Sequence, residues 1–136
     1  LVLGYRQIGG LFGRRPIEDF AESFISPVVL VGLGGIFVEI FEQASLRIAP
    51  VTRSEALEMI EQLAGSQILM GARGDRPYDI EAIVDAILRL SQLLVDFPEI
   101  LELDINPLRV RHEGQGCTAL DARIILQAGT TEEMSA

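Results

Sequence analysis

Glu102-Leu103-Asp104-Ile105-Asn106-Pro107-Leu108 alternates polar and apolar side chains at every second position. The two-residue period of a strand puts Glu102, Asp104 and Asn106 on one face and Leu103 and Ile105 on the other. Leu108 to Arg111 and Thr118 to Leu126 continue as strands, and Glu113-Gly114-Gln115-Gly116 between them reads as a turn. In the later run Asp121 and Arg123 share a face, with Cys117 and Ala119 as the small residues along the same side. If the turn makes these strands antiparallel neighbours, Asp104, Asn106 and Asp121 converge. Carboxylate and amide oxygens are hard donors that suit magnesium, which keeps several waters and takes phosphate oxygens in its remaining positions. The same alternation also fits polar residues on the wet face of a half-buried sheet, a reading that spacing alone favours over a metal site.

Upstream of this segment the period changes from two to that of a helix. Asp79 caps a predicted helix whose apolar stripe runs through Ile80, Ile83, Val84, Ile87, Leu88, Leu94 and Val95 and is stopped by Pro98, so one face must pack on a sheet. Thr52 followed by Glu55 is a capping-box pattern, opening a helix through Ala56, Leu57, Ile60 and Leu63 that Gly65 is placed to end. Between the helices the sequence predicts a short strand, Ile68-Leu69-Met70, and a polar loop from Gly71 to Tyr78. Further upstream, Val28 to Leu33 and Ile36 to Phe41 are β-branched and apolar runs flanking Gly34-Gly35, which predicts a hairpin; Ser45 to Ala49 is a further strand closed by Pro50. Residues 1–26 carry an apolar opening strand, a Gly9-Gly10 pair, Arg14-Arg15-Pro16 and a short helix from Ile17 to Phe24, without clear period. The expected class is α+β, a mainly antiparallel sheet with two packed helices; residues 127–136 are expected to be a disordered tail.

Composition narrows the function classes. With 136 residues, 49% of them hydrophobic, the chain is one domain or part of one with a proper core. The apolar runs are broken well before the roughly 18 residues that a membrane span needs, and no basic stretch precedes a small-residue cleavage site; the cytoplasm is the default location. A net charge of −9 argues against a nucleic-acid partner. The single cysteine, Cys117, can form neither an internal disulfide nor a cysteine cluster for zinc. All 11 basic residues are arginine, so a phosphate-binding, Schiff-base or general-base lysine is excluded within this chain. The start, Leu1-Val2-Leu3, reads like the middle of a strand, and a fragment of a longer polypeptide is expected.

The ordered motifs Glu102-Leu103-Asp104-Ile105-Asn106-Pro107-Leu108 and Leu120-Asp121-Ala122-Arg123 resemble a pair of signatures near the end of the ATP-grasp region in NDP-forming acyl-CoA synthetases of the ADP-forming acetate–CoA ligase type. The β chain of succinyl-CoA synthetase is similar at greater distance. Pro27-Val28-Val29-Leu30-Val31-Gly32-Leu33-Gly34-Gly35-Ile36-Phe37-Val38-Glu39 resembles the family's Gly-Leu-Gly-Gly segment, Leu46-Arg47-Ile48-Ala49-Pro50 follows at the family's distance, and Asp96-Phe97-Pro98-Glu99-Ile100 matches in type. The resemblance covers residues 27–126 and implies the second half, or carboxyl-terminal lobe, of an ATP-grasp fold. It implies magnesium on nucleotide phosphates, held by Asn106 and Asp121, with Asp104, Arg123 and Glu39 as further nucleotide-site residues. It implies ATP or ADP as the bound nucleotide and coenzyme A as a substrate of the complete enzyme. The remaining ATP-grasp lobe and the CoA-binding domains or subunits become partners, with a homo-oligomer also open. The stretch Tyr5 to Glu22 departs from the family pattern. The lysines and adenine hinge of the fold belong to the half not matched here, so the isolated chain is expected to be inactive. Two other readings stay open: a regulatory acyl-CoA-synthetase-like module of a protein lysine acetyltransferase, and a structural subunit completing a neighbour's sheet.

Other residues weigh less. Gly34-Gly35 reads as a hairpin turn rather than a phosphate loop, because no helix follows. Glu39 fits an edge carboxylate as well as a cleft-lining one. Arg73 and Arg76 read as solvated loop arginines, and His112 as a surface histidine without a companion nucleophile. Arg123 stands either to neutralise the metal aspartate or to touch the nucleotide.

Overall fold

The computed structural model describes residues 1–7, 27–33 and 44–129. The predicted strand Ile36 to Phe41, the Gly34-Gly35 turn, Glu39, the helix from Ile17 to Phe24 and most of the tail lie outside them. Among the described residues the opening segment is β1 (Val2–Gln7), followed by β2 (Pro27–Gly32) and β3 (Ser45–Ile48). Two helices and a helical turn come next: α1 (Arg53–Glu61), α2 (Ser66–Leu69) and α3 (Ile80–Asp96). Four strands complete the order, β4 (Ile100–Ile105), β5 (Leu108–Val110), β6 (Cys117–Ala119) and β7 (Ala122–Leu126).

The sheet is antiparallel at every described pairing and ordered β3-β2-β1-β4-β7, so β1 lies at its centre between β2 and β4. One face is apolar and covered by helices. Leu3, Val29, Val31 and Leu103 from the strands meet Ala56, Met59 and Ile60 of α1 and Ile83, Val84, Ile87, Leu90 and Leu94 of α3 in a single core. That layering is the α+β architecture expected of an amphipathic helix pair laid on an alternating sheet.

Local chemistry accounts for the helix ends. The Thr52 side chain accepts from the Glu55 backbone N–H, and the Glu55 carboxylate accepts from the Thr52 N–H at 2.8 Å, so the capping box is complete. Gly65 does not end α1 directly: the helix stops at Glu61 with Gln62 as its C-cap, and Gly65, at φ 88°, precedes the next turn. The predicted strand Ile68-Leu69-Met70 is a correction, because Ser66–Leu69 forms one helical turn. Three apolar residues do not distinguish strand from helix, and here Ile68 and Met70 are exposed while Leu69 alone enters the core. Val95, counted in the helical stripe, is 46% exposed; the buried stripe instead runs through Leu90 and Ser91.

Ser91 shows why a polar residue belongs on that stripe. Its hydroxyl is fully enclosed and accepts from the Val51 backbone N–H at 2.7 Å, tying α3 to the segment entering α1. Ser91→Ala removes the acceptor and leaves a buried N–H unpaired, a loss of about 1–3 kcal/mol. Chemical denaturation of the complete protein should show this as a lower midpoint at unchanged slope; an unchanged midpoint would mean the N–H finds another acceptor.

The stretch predicted as one strand from Thr118 to Leu126 is broken at Leu120-Asp121. Together β4–β5 and β6–β7 form one long hairpin whose stem lies in the five-stranded sheet and whose tip, β5–β6, forms a separate two-stranded sheet. The break faces Pro107, which has no N–H to continue a ladder. The tip turn is the one predicted: the Gln115 N–H donates to the His112 carbonyl at 2.9 Å, and Gly114 and Gly116 adopt φ of 80° and 79°, a region L side chains avoid.

Candidate nucleotide-phosphate and metal site

On the sheet face away from the helices, β4 and β7 pair with Asp104 opposite Arg123 and Ile105 opposite Ala122. Leu103, between Glu102 and Asp104, is buried in the helix-covered core, which places the two carboxylates on the opposite face. Glu102 and Arg123 confirm the shared face by an ion pair, Nη2 to Oε1 at 2.7 Å, in which Glu102 is the more enclosed partner. The hydrogen-bonded partner of Arg123 is thus the diagonal glutamate. An exposed pair of this kind contributes up to about 1 kcal/mol to stability; its larger consequence is to hold one guanidinium beside Asp104.

Asp104 carries the electrostatic signature of the site. Partial burial raises its carboxyl above the usual aspartate range; Arg123 pulls it down, and the Glu102 and Asp121 charges push it up again. Three acids against one guanidinium leave a local excess of negative charge, which a cation would relieve.

Asn106 and Asp121 sit just beyond the ends of β4 and β7, so strand alternation does not place them. The bend in the hairpin does. The Asn106 N–H donates to the Asp121 carbonyl at 3.1 Å and the Leu120 N–H to the Pro107 carbonyl at 3.0 Å, which set Asn106 and Asp121 against each other across the corner. Both residues are exposed. Cys117 and Ala119, expected to continue the side of Asp121 and Arg123, are a further correction: they belong to the separate tip sheet, where the Cys117 thiol donates to the Ala82 carbonyl of α3 at 3.5 Å. Burial and the neighbouring Asp79 and Asp85 charges push that thiol up, away from the thiolate.

The donor set fits magnesium in one particular way. No group of three or more histidine, cysteine or acidic residues able to hold a metal occurs among the described residues. Magnesium is commonly held by one or two carboxylates together with substrate phosphates rather than by an all-protein cage. The Asn106 amide oxygen and the Asp121 carboxylate, open to solvent at the corner, fit that mode, with Asp104 behind them.

The tip of the hairpin is anchored by Asp79, whose N-cap role was legible but whose second contact was not. One carboxylate oxygen accepts from the Ala82 N–H at 3.1 Å, and the other accepts from the Gly116 N–H at 2.8 Å, across 37 positions of chain. These backbone donors, Gly116 foremost, hold its carboxyl below the usual aspartate value. A depressed carboxylate stabilises the fold above its unfolded pKa, about 3.9, and that contribution is lost as pH falls through the lower folded value. The melting temperature of the complete protein should fall on going from neutral to strongly acidic pH, and Asp79→Asn should flatten that fall; parallel curves for the two proteins would refute the assignment.

His112, read from sequence as a surface histidine, is half-buried: its ring stacks on Tyr78 with centroids 5.0 Å apart, and Nδ1 lies 3.2 Å from the Arg76 carbonyl. Arg73 and Arg76 are exposed in the loop.

The α+β fold with its β hairpin bent at an Asn-Pro corner, with acids and an arginine on the sheet face away from the helices, is that of an ATP-grasp fragment. The ATP-grasp domain family matches residues 20–126, and the chain belongs to it. The β subunit of ADP-forming acetate–CoA ligase I from Pyrococcus furiosus is 48% identical over 126 residues, covering 92% of this chain and 53% of the relative. ADP-forming 4-hydroxybutyrate–CoA ligase from Nitrosopumilus maritimus is 46% identical over 103 residues, covering 76% of this chain and 15% of the relative. Among solved structures, a dinucleotide-forming acetyl-coenzyme A synthetase from Candidatus Korarchaeum cryptofilum, in complex with coenzyme A and Mg-AMPPCP, superposes at a TM-score of 0.71 and 37% identity, covering 93% of this chain and 52% of that one. The chain thus spans about half the length of the β subunit relative. No helix among the described residues is long and apolar enough to cross a membrane.

Proposed function

We propose that this chain is the nucleotide-phosphate and magnesium-binding part of an ATP-grasp acyl-CoA synthetase, which converts a carboxylate, coenzyme A and a nucleoside triphosphate into an acyl-CoA, a nucleoside diphosphate and phosphate. The observation that carries this reading is the hairpin corner, where Asn106 faces Asp121 beside the electronegative Asp104–Arg123–Glu102 face. Magnesium there would offset charge on the phosphates during transfer, a mainly electrostatic contribution.

Within that reading, Asn106 and Asp121 hold the metal. Asp104 adds negative charge behind them, and Glu102 fixes Arg123 so that its remaining N–H groups point to the phosphate side. Glu39 is assigned to the same nucleotide site by resemblance. Relatives named for acetate and for 4-hydroxybutyrate are nearly equally similar to this chain, which supports a role in the nucleotide step they share rather than in choosing the acid. The remaining ATP-grasp lobe and the CoA-binding domains or subunits are the partners, and without lysine the chain alone is inactive.

Calorimetric titration of Mg-ADP and Mg-ATP into the complete protein tests this, followed by an acyl-CoA synthesis assay. Magnesium-dependent nucleotide binding with acyl-CoA formation is the expected result. Absence of nucleotide binding would sink the assignment and bring forward the regulatory module of a lysine acetyltransferase.

A further inference from the structure

Resting on the metal reading above, we infer that Asp79 is a positioning residue for the Asn106–Asp121 corner, acting through its hydrogen bond to the Gly116 N–H at the hairpin tip. Asp79 is the one buried carboxylate among the described residues, and both of its oxygens are used. One caps α3, a local task that asparagine or serine performs equally well. The other reaches out of the helix to the tip turn, which the helix itself does not require.

The corner lies between two anchorages. Below it, β4 is held in the sheet by β1 and β7 by β4. Above it, the segment from Pro77 to Asp79 is stitched to the tip: the Asp79 N–H donates to the Arg111 carbonyl at 2.8 Å, the Glu113 N–H donates to the Pro77 carbonyl at 3.0 Å, and Tyr78 pairs with His112. Two side-chain contacts hold the β6 side of the turn to α3, the Asp79 carboxylate at Gly116 and the weaker Cys117 thiol at the Ala82 carbonyl, and β6 leads through Leu120 into Asp121. Without the Asp79 carboxylate, the β5–β6 ladder and the bond from the Arg111 N–H to the Gly116 carbonyl remain, but the tip as a unit loses one of its ties to the head of α3 and can tilt about the corner. Asp121 would then move relative to Asn106, and a metal bound by both would lose affinity even though the fold survives.

The clasp and the cap can be separated by substitution. Asp79→Asn retains size and one acceptor, so it keeps either the cap or the Gly116 bond but not both; Asp79→Ser keeps the cap and is too short for Gly116. Each is made in the complete protein, and the magnesium concentration that half-saturates ATP binding is measured alongside the melting temperature. The expected result is a rise in half-saturating magnesium of about ten-fold in Asp79→Ser, the scale on which groups that orient metal ligands act, and a rise of that size or smaller in Asp79→Asn according to which bond it keeps, with nucleotide binding in the absence of metal unchanged and melting lowered by only a few degrees. A purely structural role would lower melting and leave the magnesium requirement where it was. A rise below about three-fold in Asp79→Ser, well short of what orienting groups contribute, overturns the inference. The alanine pair at Asn106 and Asp121 serves as reference: if it changes the magnesium requirement and the Asp79 variants do not, the inference alone fails. If the pair changes nothing, the metal reading fails and takes the inference with it.

Discussion

Alanine at both Asn106 and Asp121 is expected to weaken magnesium-dependent nucleotide binding by the complete protein by about 100-fold or more, since removing the groups that merely orient metal ligands already costs about 10–100-fold. The fold should be indifferent to the change. Both side chains are exposed, and the bonds that shape the corner, Asn106 N–H to Asp121 carbonyl and Leu120 N–H to Pro107 carbonyl, are made by backbone atoms that alanine retains. Calorimetry with Mg-ATP, Mg-ADP and metal-free nucleotide separates the effects: binding of the metal-free nucleotide should change little, while the gain conferred by magnesium should disappear. A variant that binds Mg-ATP as tightly as wild type would remove the two residues from the metal site.

Ile87→Ala should be the most destabilising single truncation in α3. Ile87 has no exposed surface and packs at the centre of the core between the helix and the sheet. Truncation deletes buried carbons and leaves a cavity that neighbours on two rigid layers cannot close, at about 2–5 kcal/mol. Val95→Ala, two turns on, is the control, because Val95 is 46% exposed and should change stability by at most about 0.5 kcal/mol. Equal shifts in the unfolding midpoint of the complete protein would mean that α3 does not present the face seen here.

Where the sequence could be read, the reason is local. Thr52 and Glu55 satisfy each other within one turn, Asp79 caps Ala82 three residues on, and the stripe through Ile83, Val84 and Ile87 needs only the helical period. The alternation Glu102-Leu103-Asp104 placed the acids on one face because a strand leaves no other choice. Failures came where several conformations satisfy the same short pattern: Ile68-Leu69 ends a helical turn with Met70 as its cap, and Thr118 to Leu126 is split between two sheets.

The sequence alone thus determined the α+β class, the two helices with their caps, the tip turn and the polar face of β4, all of them consequences of side-chain period and of backbone groups satisfied within a few residues. It took the tertiary structure to put β1 at the centre of the sheet and to bend the hairpin at Asn106-Pro107. The same holds for pairing Arg123 with Glu102 and for carrying the Asp79 carboxylate to Gly116. Those four features join residues distant in the chain, and strand order and long-range hydrogen bonds depend on which surfaces pack, which no local pattern encodes.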